Sequence, residues 1–217
     1  MLSGINPLEI LFWAIGLLIG ITIHEASHAF IADRLGDPTA KRLGRVTLNP
    51  IAHLDPTGTL LMVITMLIGR GFGWGKPCPV NPNNLRPNPK TGYALVAAAG
   101  PVSNLLLATL VVLLVESHAL PLTSDVEVAL VQSIIGASVI LALFNVIPIP
   151  PLDGFGILLG ILPSRPAYSL SKLSQYGAPI LLLLVFFGGG LLSAYFSWGD
   201  GLVNSYFAFL RDPILRA

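Results

Sequence analysis

The sequence predicts an all-α polytopic membrane protein of about five to six membrane segments, one of them short or re-entrant, with a small β element between the first two long spans. Three observations carry that expectation. Only 11% of the 217 residues are charged, where a soluble domain carries about a quarter. Hydrophobic residues make up 53% of the chain, and its mean hydropathy is +0.77. Apolar runs of roughly 20 residues, enough to cross the bilayer core, recur along it.

Residues 8–32 form the first such run, residues 93–115 the second, 128–150 the third and 177–197 the fourth. Two shorter runs, 58–69 and 152–162, fall below spanning length. Residues 198–217 read as an amphipathic interfacial tail. Between the first two long runs, "GRVTLNP" (44–50) has a β-like character. "WGKPCPVNPNNLRPNPK" (74–90) is rich in proline and asparagine, the composition of loops, turns and edge strands. No repeat or second soluble domain interrupts the chain, so residues 1–217 read as one membrane-embedded domain. The N-terminus lacks the basic start and small-residue cleavage site of a secretory signal.

Charge orients these segments. Eight of the twelve Lys and Arg lie between residues 34 and 90, whereas 116–127 carries Glu116, Asp125 and Glu127 and no basic residue. The positive-inside rule places 34–90 in the cytoplasm and 116–127 outside. Arg165 and Lys172 then return to the inside, provided that 58–69 enters and leaves by one face. A net charge of +1 without like-charge blocks gives no sign of a nucleic-acid partner, and none is expected. The one cysteine, Cys78, cannot form an internal disulfide and reads as a bystander thiol.

The first run ends in "GITIHEASHAFIADRLG" (20–36), which contains His24-Glu25-Ala26-Ser27-His28. On a helix, positions i and i+4 share a face, so both imidazoles can reach one ion. The intervening glutamate can act on a metal-bound water as general base. Zinc suits neutral imidazole and lowers the pKa of its water to about 7. Chance yields roughly 0.001 such patterns at this composition, and ionisable residues inside a span are functional by default. A structural metal or a heme site is the alternative.

Two imidazoles leave a catalytic zinc one protein ligand short. Asp153, His53 and Asp55 are the candidates, because charge puts Glu116 and His118 on the opposite side. Asp153 lies in "FNVIPIPPLDGFG" (144–156), where prolines break a helix at membrane depth. Broken backbone is tolerated there only inside protein or along a wet cavity, which makes Asp153 the strongest of the three. His53 and Asp55 read as a turn, a partner of a zinc-bound imidazole, or an extra ligand.

An H-E-x-x-H in the first span with a later N-x-x-P-x-P-x-x-D-G resembles the site-2 protease family of intramembrane zinc metallopeptidases (peptidase family M50). "AAAGPVSN" (97–104) resembles that family's A-G-P-x-x-N helix. "GRVTLNPIAHLDPTGTL" and "GWGKPCPVNP" resemble its compact prokaryotic branch, which has neither a PDZ nor a CBS domain. The resemblance implies one Zn2+ bound by His24, His28 and Asp153, with Glu25 as catalytic base. It also implies that Asn145 holds the substrate backbone or stabilises the oxyanion, and that the site lies nearer the cytoplasmic face of a prokaryotic cell membrane. Many relatives have a further span before the histidines, and this chain departs from them there.

The expected reaction is hydrolysis of peptide bonds in membrane-spanning or membrane-associated protein substrates. The expected surroundings are the lipid bilayer, with a regulatory partner protein or an oligomer left open. Water needs a polar channel from the cytoplasmic side, and residues 44–49 or 77–81 are candidate edges for an unwound substrate. Gly100, Pro101 and Asn104 read as close helix packing with a polar contact to a neighbouring span. An inactive helix-binding homologue and a metal transporter are the competing functions.

Overall fold

A computed structural model of the chain describes residues 7–67, 74–199, 201 and 204. Eight α-helices are bounded within them. α1 (Pro7–Arg34), α4 (Pro89–Glu116) and α5 (Asp125–Val146) are long and apolar enough to cross a membrane. A fourth candidate, Ser164–Phe187, joins α7 (Ser164–Ser171) to α8 (Gly177–Phe187) through a 3-10 segment, Lys172–Tyr176. α2 (Thr39–Arg42), α3 (Pro56–Leu67) and α6 (Asp153–Ile161) are short.

Four described helices therefore meet the length and composition of a span, the same number as the long apolar runs. The last differs most from its expected bounds of 177–197. Lys172 and Gly177 both hold right-handed helical dihedrals, and Tyr176 (φ −103°, ψ 11°) departs from them just before α8 begins. Gly188 then interrupts the helix, which resumes over 189–199. The 12 residues of α3 rise about 18 Å, short of the roughly 30 Å hydrocarbon core. The end of the expected 58–69 segment and most of the expected tail lie outside the described residues.

The expected β element does not form. Among the described residues there is no strand, only one antiparallel bridge between Leu54 and Gly75, extended by Lys76 N–H donating to the His53 carbonyl at 2.7 Å. Pro77, Pro79 and Pro82 have no N–H to offer a ladder. The donors of 44–49 are used locally: Arg45 N–H goes to the Ala40 carbonyl, and Asn49 N–H to Thr47 Oγ1.

α1, α4 and α5 pack on one another, and α6 packs on α4. Small residues permit the close approach. A Cβ at Gly16 would lie 2.5 Å from the Ser133 carbonyl of α5, and one at Gly160 2.1 Å from the Ala94 methyl of α4. The outward faces remain apolar and exposed, with Leu105, Leu106 and Leu110 on α4, as a lipid-facing surface requires.

Helix ends bring the polar loops back to this bundle. α1 stops at a Schellman motif: Gly36, at φ +105°, donates to Asp33 O, and Asp37 N–H donates to Ala32 O. The fully buried Asp37 carboxylate then accepts from Thr39 N and Oγ1, Asn81 N and Asn84 Nδ2. This staples the end of α1 to the proline-rich segment. Burial alone would push the Asp37 carboxyl up, but these hydrogen bonds outweigh it and hold the group below its ordinary 3.8.

Candidate metal centre

The first two candidate ligands are placed by helix geometry. His24 and His28 share one face of α1, both buried, with their rings edge to face and centroids 4.6 Å apart. Asp153 comes from the other half of the chain. Pro148 forces Ile147 out of helical conformation (ψ 126°), which ends α5, and the chain turns back through Pro150 and Pro151 to start α6 at Asp153. Gly154 makes the turn possible, because a Cβ there would lie 2.0 Å from the Val146 carbonyl oxygen.

Asp153 Oδ2 lies 3.0 Å from His24 Nε2 and 3.3 Å from His28 Nε2. A tetrahedral zinc ion with bonds of about 2.0–2.1 Å spaces its ligand atoms about 3.3 Å apart. The three side chains form the metal-competent group among the described residues, and its spacing fits zinc.

The hydrogen bonds behind the imidazoles point the same way. His28 Nδ1 lies 2.7 Å from the Val96 carbonyl. A carbonyl only accepts, so Nδ1 carries the proton, and a neutral His28 presents a bare Nε2 to the Asp153 carboxylate. Two acceptors facing each other require a cation between them, either a proton or a metal ion. Asn104 is fully buried, with its amide 3.4 Å from His24 Nδ1 and no partner for its Oδ1 among the described residues. Turning that amide over lets Oδ1 accept from a protonated Nδ1 and leaves His24 Nε2 free as a ligand. Asp153 Oδ2 and Glu25 Oε2 are likewise buried without hydrogen-bond partners among the described residues.

α4 closes the back of the site. A Cβ at Gly100 would lie 2.5 Å from both His24 Cε1 and His28 Nε2, so even alanine forces α4 or the rings to shift. The front opens into a cavity of about 660 Å³ lined by His24, Glu25, His28, Asn145 and Asp153, and also by Trp74, Gly75, Pro77, Cys78 and Tyr93. Asn145 spends one amide N–H on the Leu141 carbonyl, at 2.9 Å. Burial, and after it the negative charge of Glu25, push the Cys78 thiol up to about 12.

The structure thus brings His24, His28 and Asp153 together and sets Glu25 and Asn145 on the same cavity. His53 and Asp55 lie outside the His24, His28 and Asp153 group. His53 Nε2 lies 2.8 Å from the Thr47 carbonyl, and Asp55 Oδ1 accepts from Gly58 N–H at the start of α3. The sequence marks Gly100 only as close helix packing and carries no sign of the Val96 carbonyl. Arg45 stands in it only among the basic residues that orient the chain, although its guanidinium lies 4.0 Å from Glu25. The small-residue run at 97–100 was the signal for α4, and nothing local marks Arg45.

Fold and site together define a helical membrane protein with a His-His-Asp candidate metal centre and a glutamate beside it. Over 218 residues the chain is 34% identical to "Putative zinc metalloprotease YwhC" of Bacillus subtilis, covering 96% of this chain and 97% of that one. It is 29% identical over 200 residues to "Putative zinc metalloprotease Rip2" of Mycolicibacterium smegmatis, covering 89% and 72%. The protein of that name from Mycobacterium tuberculosis is 29% identical over 187 residues, covering 83% and 68%. The chain belongs to the family of YwhC and Rip2. No family model and no solved structure matches it.

Proposed function

We propose that this protein is a zinc-dependent intramembrane endopeptidase of the site-2 protease type, acting on membrane-spanning or membrane-associated protein substrates. The observation that carries the reading is the convergence of three ligand atoms, with Glu25 beside them, on one cavity among apolar helices. His24, His28 and Asp153 hold the ion, and the names of the relatives favour zinc. When bound, zinc supplies Lewis-acid polarisation of the scissile carbonyl and lowers the pKa of water to about 7.

Glu25 takes the proton of the attacking water and delivers it to the leaving amine nitrogen. Asn145 has a second amide N–H beyond the one given to Leu141, and that donor holds the substrate backbone. The excess of Lys and Arg over residues 34–90 supports a cytoplasmic opening in a prokaryotic cell membrane.

The test is cleavage of a synthetic transmembrane peptide by purified wild type and Glu25→Gln, with zinc content measured on both. Loss of cleavage by at least about a thousandfold, with zinc retained, is the expected result. Wild-type cleavage by Glu25→Gln, or wild type purified without zinc, would sink the reading.

A further inference from the structure

We propose that Arg45 is a positioning residue that holds the Glu25 carboxylate from behind and ties it to the cavity wall. The inference rests on the reading of Glu25 as the general base.

Arg45 is only 4% exposed, and a charge is buried at that level only when something compensates it. The chain turns it inward through a second Schellman motif. α2 ends as Gly44 N–H donates to Lys41 O and Arg45 N–H to Ala40 O. Gly44 holds φ at +70° there, a conformation that suits glycine.

The guanidinium has two partners. Its Nη2 donates to the Lys76 carbonyl and lies 4.0 Å from Glu25 Oε2. Nε and Nη1 are buried and have no hydrogen-bond partner among the described residues, and neither has Glu25 Oε2. One partly buried carboxylate, its Oε2 shielded from solvent, therefore faces one buried cation. Removing either leaves the other uncompensated.

Arg45 does not line the cavity, whereas Glu25 does. It cannot touch a substrate held there, so its influence passes through Glu25. The Lys76 carbonyl leads directly into Pro77 and Cys78, which line the same cavity as Glu25. Arg45 thus couples the direction of the carboxylate to the surface against which a peptide would lie. Turnover depends on that direction, while binding of substrate and metal do not.

The full-length protein in detergent provides the test, with Arg45→Ala, Arg45→Lys, Glu25→Gln and the double variant Arg45→Ala/Glu25→Gln. Arg45→Ala is expected to retain zinc and to lose about 10- to 100-fold in kcat, with KM changed less than about threefold. Arg45→Lys restores part of kcat, since it returns the charge without the fork. Thermal midpoints of the metal-free proteins read the pairing without any activity. The loss caused by Arg45→Ala shrinks in the Glu25→Gln background, where no carboxylate is left uncompensated.

Equal losses of midpoint in both backgrounds, or an unchanged kcat in Arg45→Ala, would overturn the positioning role and leave the protease reading standing. Cleavage by Glu25→Gln at the wild-type rate would remove the base assignment, and the positioning role with it. Should Arg45→Ala fail to fold, Arg45→Met keeps the aliphatic stem and carries the same comparisons.

Discussion

Replacing Gly100 with alanine sets a methyl group 2.5 Å from His24 Cε1 and from His28 Nε2, and 2.6 Å from His24 Nε2. Ordinary contact needs about 1 Å more. If α4 backs away by that much, the 2.7 Å bond from His28 Nδ1 to the Val96 carbonyl stretches to about 3.7 Å, beyond hydrogen-bond range. If the rings move instead, the ligand spacing around Asp153 is lost. The first route forfeits a hydrogen bond of about 0.5–1.5 kcal/mol, and overpacking adds about 1–3 kcal/mol.

Even a part of that strain expressed at the ligands weakens zinc by about 10- to 100-fold. Competition with a fluorescent chelator measures it on purified protein. Gly189→Ala is the control, since a Cβ there meets nothing within 4 Å. An unchanged zinc Kd and thermal midpoint in Gly100→Ala would refute the claim that α4 braces the imidazoles.

Three other outcomes follow from the same geometry. Asp153→Ala should lose the zinc that wild type holds at about one ion per chain, while His53→Ala keeps it; metal analysis after dialysis decides this, and the reverse pattern would exchange the third ligand. Asn104→Leu should weaken zinc about 10- to 100-fold by removing the partner of His24 Nδ1, read by the same chelator competition. The depressed Asp37 pKa makes its contribution to stability full above about pH 4 and lost as pH falls through the folded value. The difference in thermal midpoint between wild type and Asp37→Asn should therefore be largest at pH 7 and close in acid; a constant difference across that range would show that ionisation of Asp37 is irrelevant.

What can be read along one helix was legible in the sequence. The i, i+4 spacing of His24 and His28 sets both rings on one face whatever surrounds them. Hydropathy marks α1, α4 and α5 because lipid demands apolar side chains along a whole span. Proline before Asp153 announces the break that lets its carboxylate turn inward. These are local consequences of backbone geometry and solvent.

What faces those residues across space was decided only by the tertiary structure. The Val96 carbonyl and the missing Cβ of Gly100 act on the imidazoles because α4 lies against α1. Arg45 reaches Glu25 because two glycine-terminated helices fold the intervening chain back on itself. The expected strands at 44–49 and 77–81 do not form, since prolines and local turns leave too few donors for a ladder. Spacing along the chain determines which side chains share a helix face, but the packing of separate helices determines what that face meets.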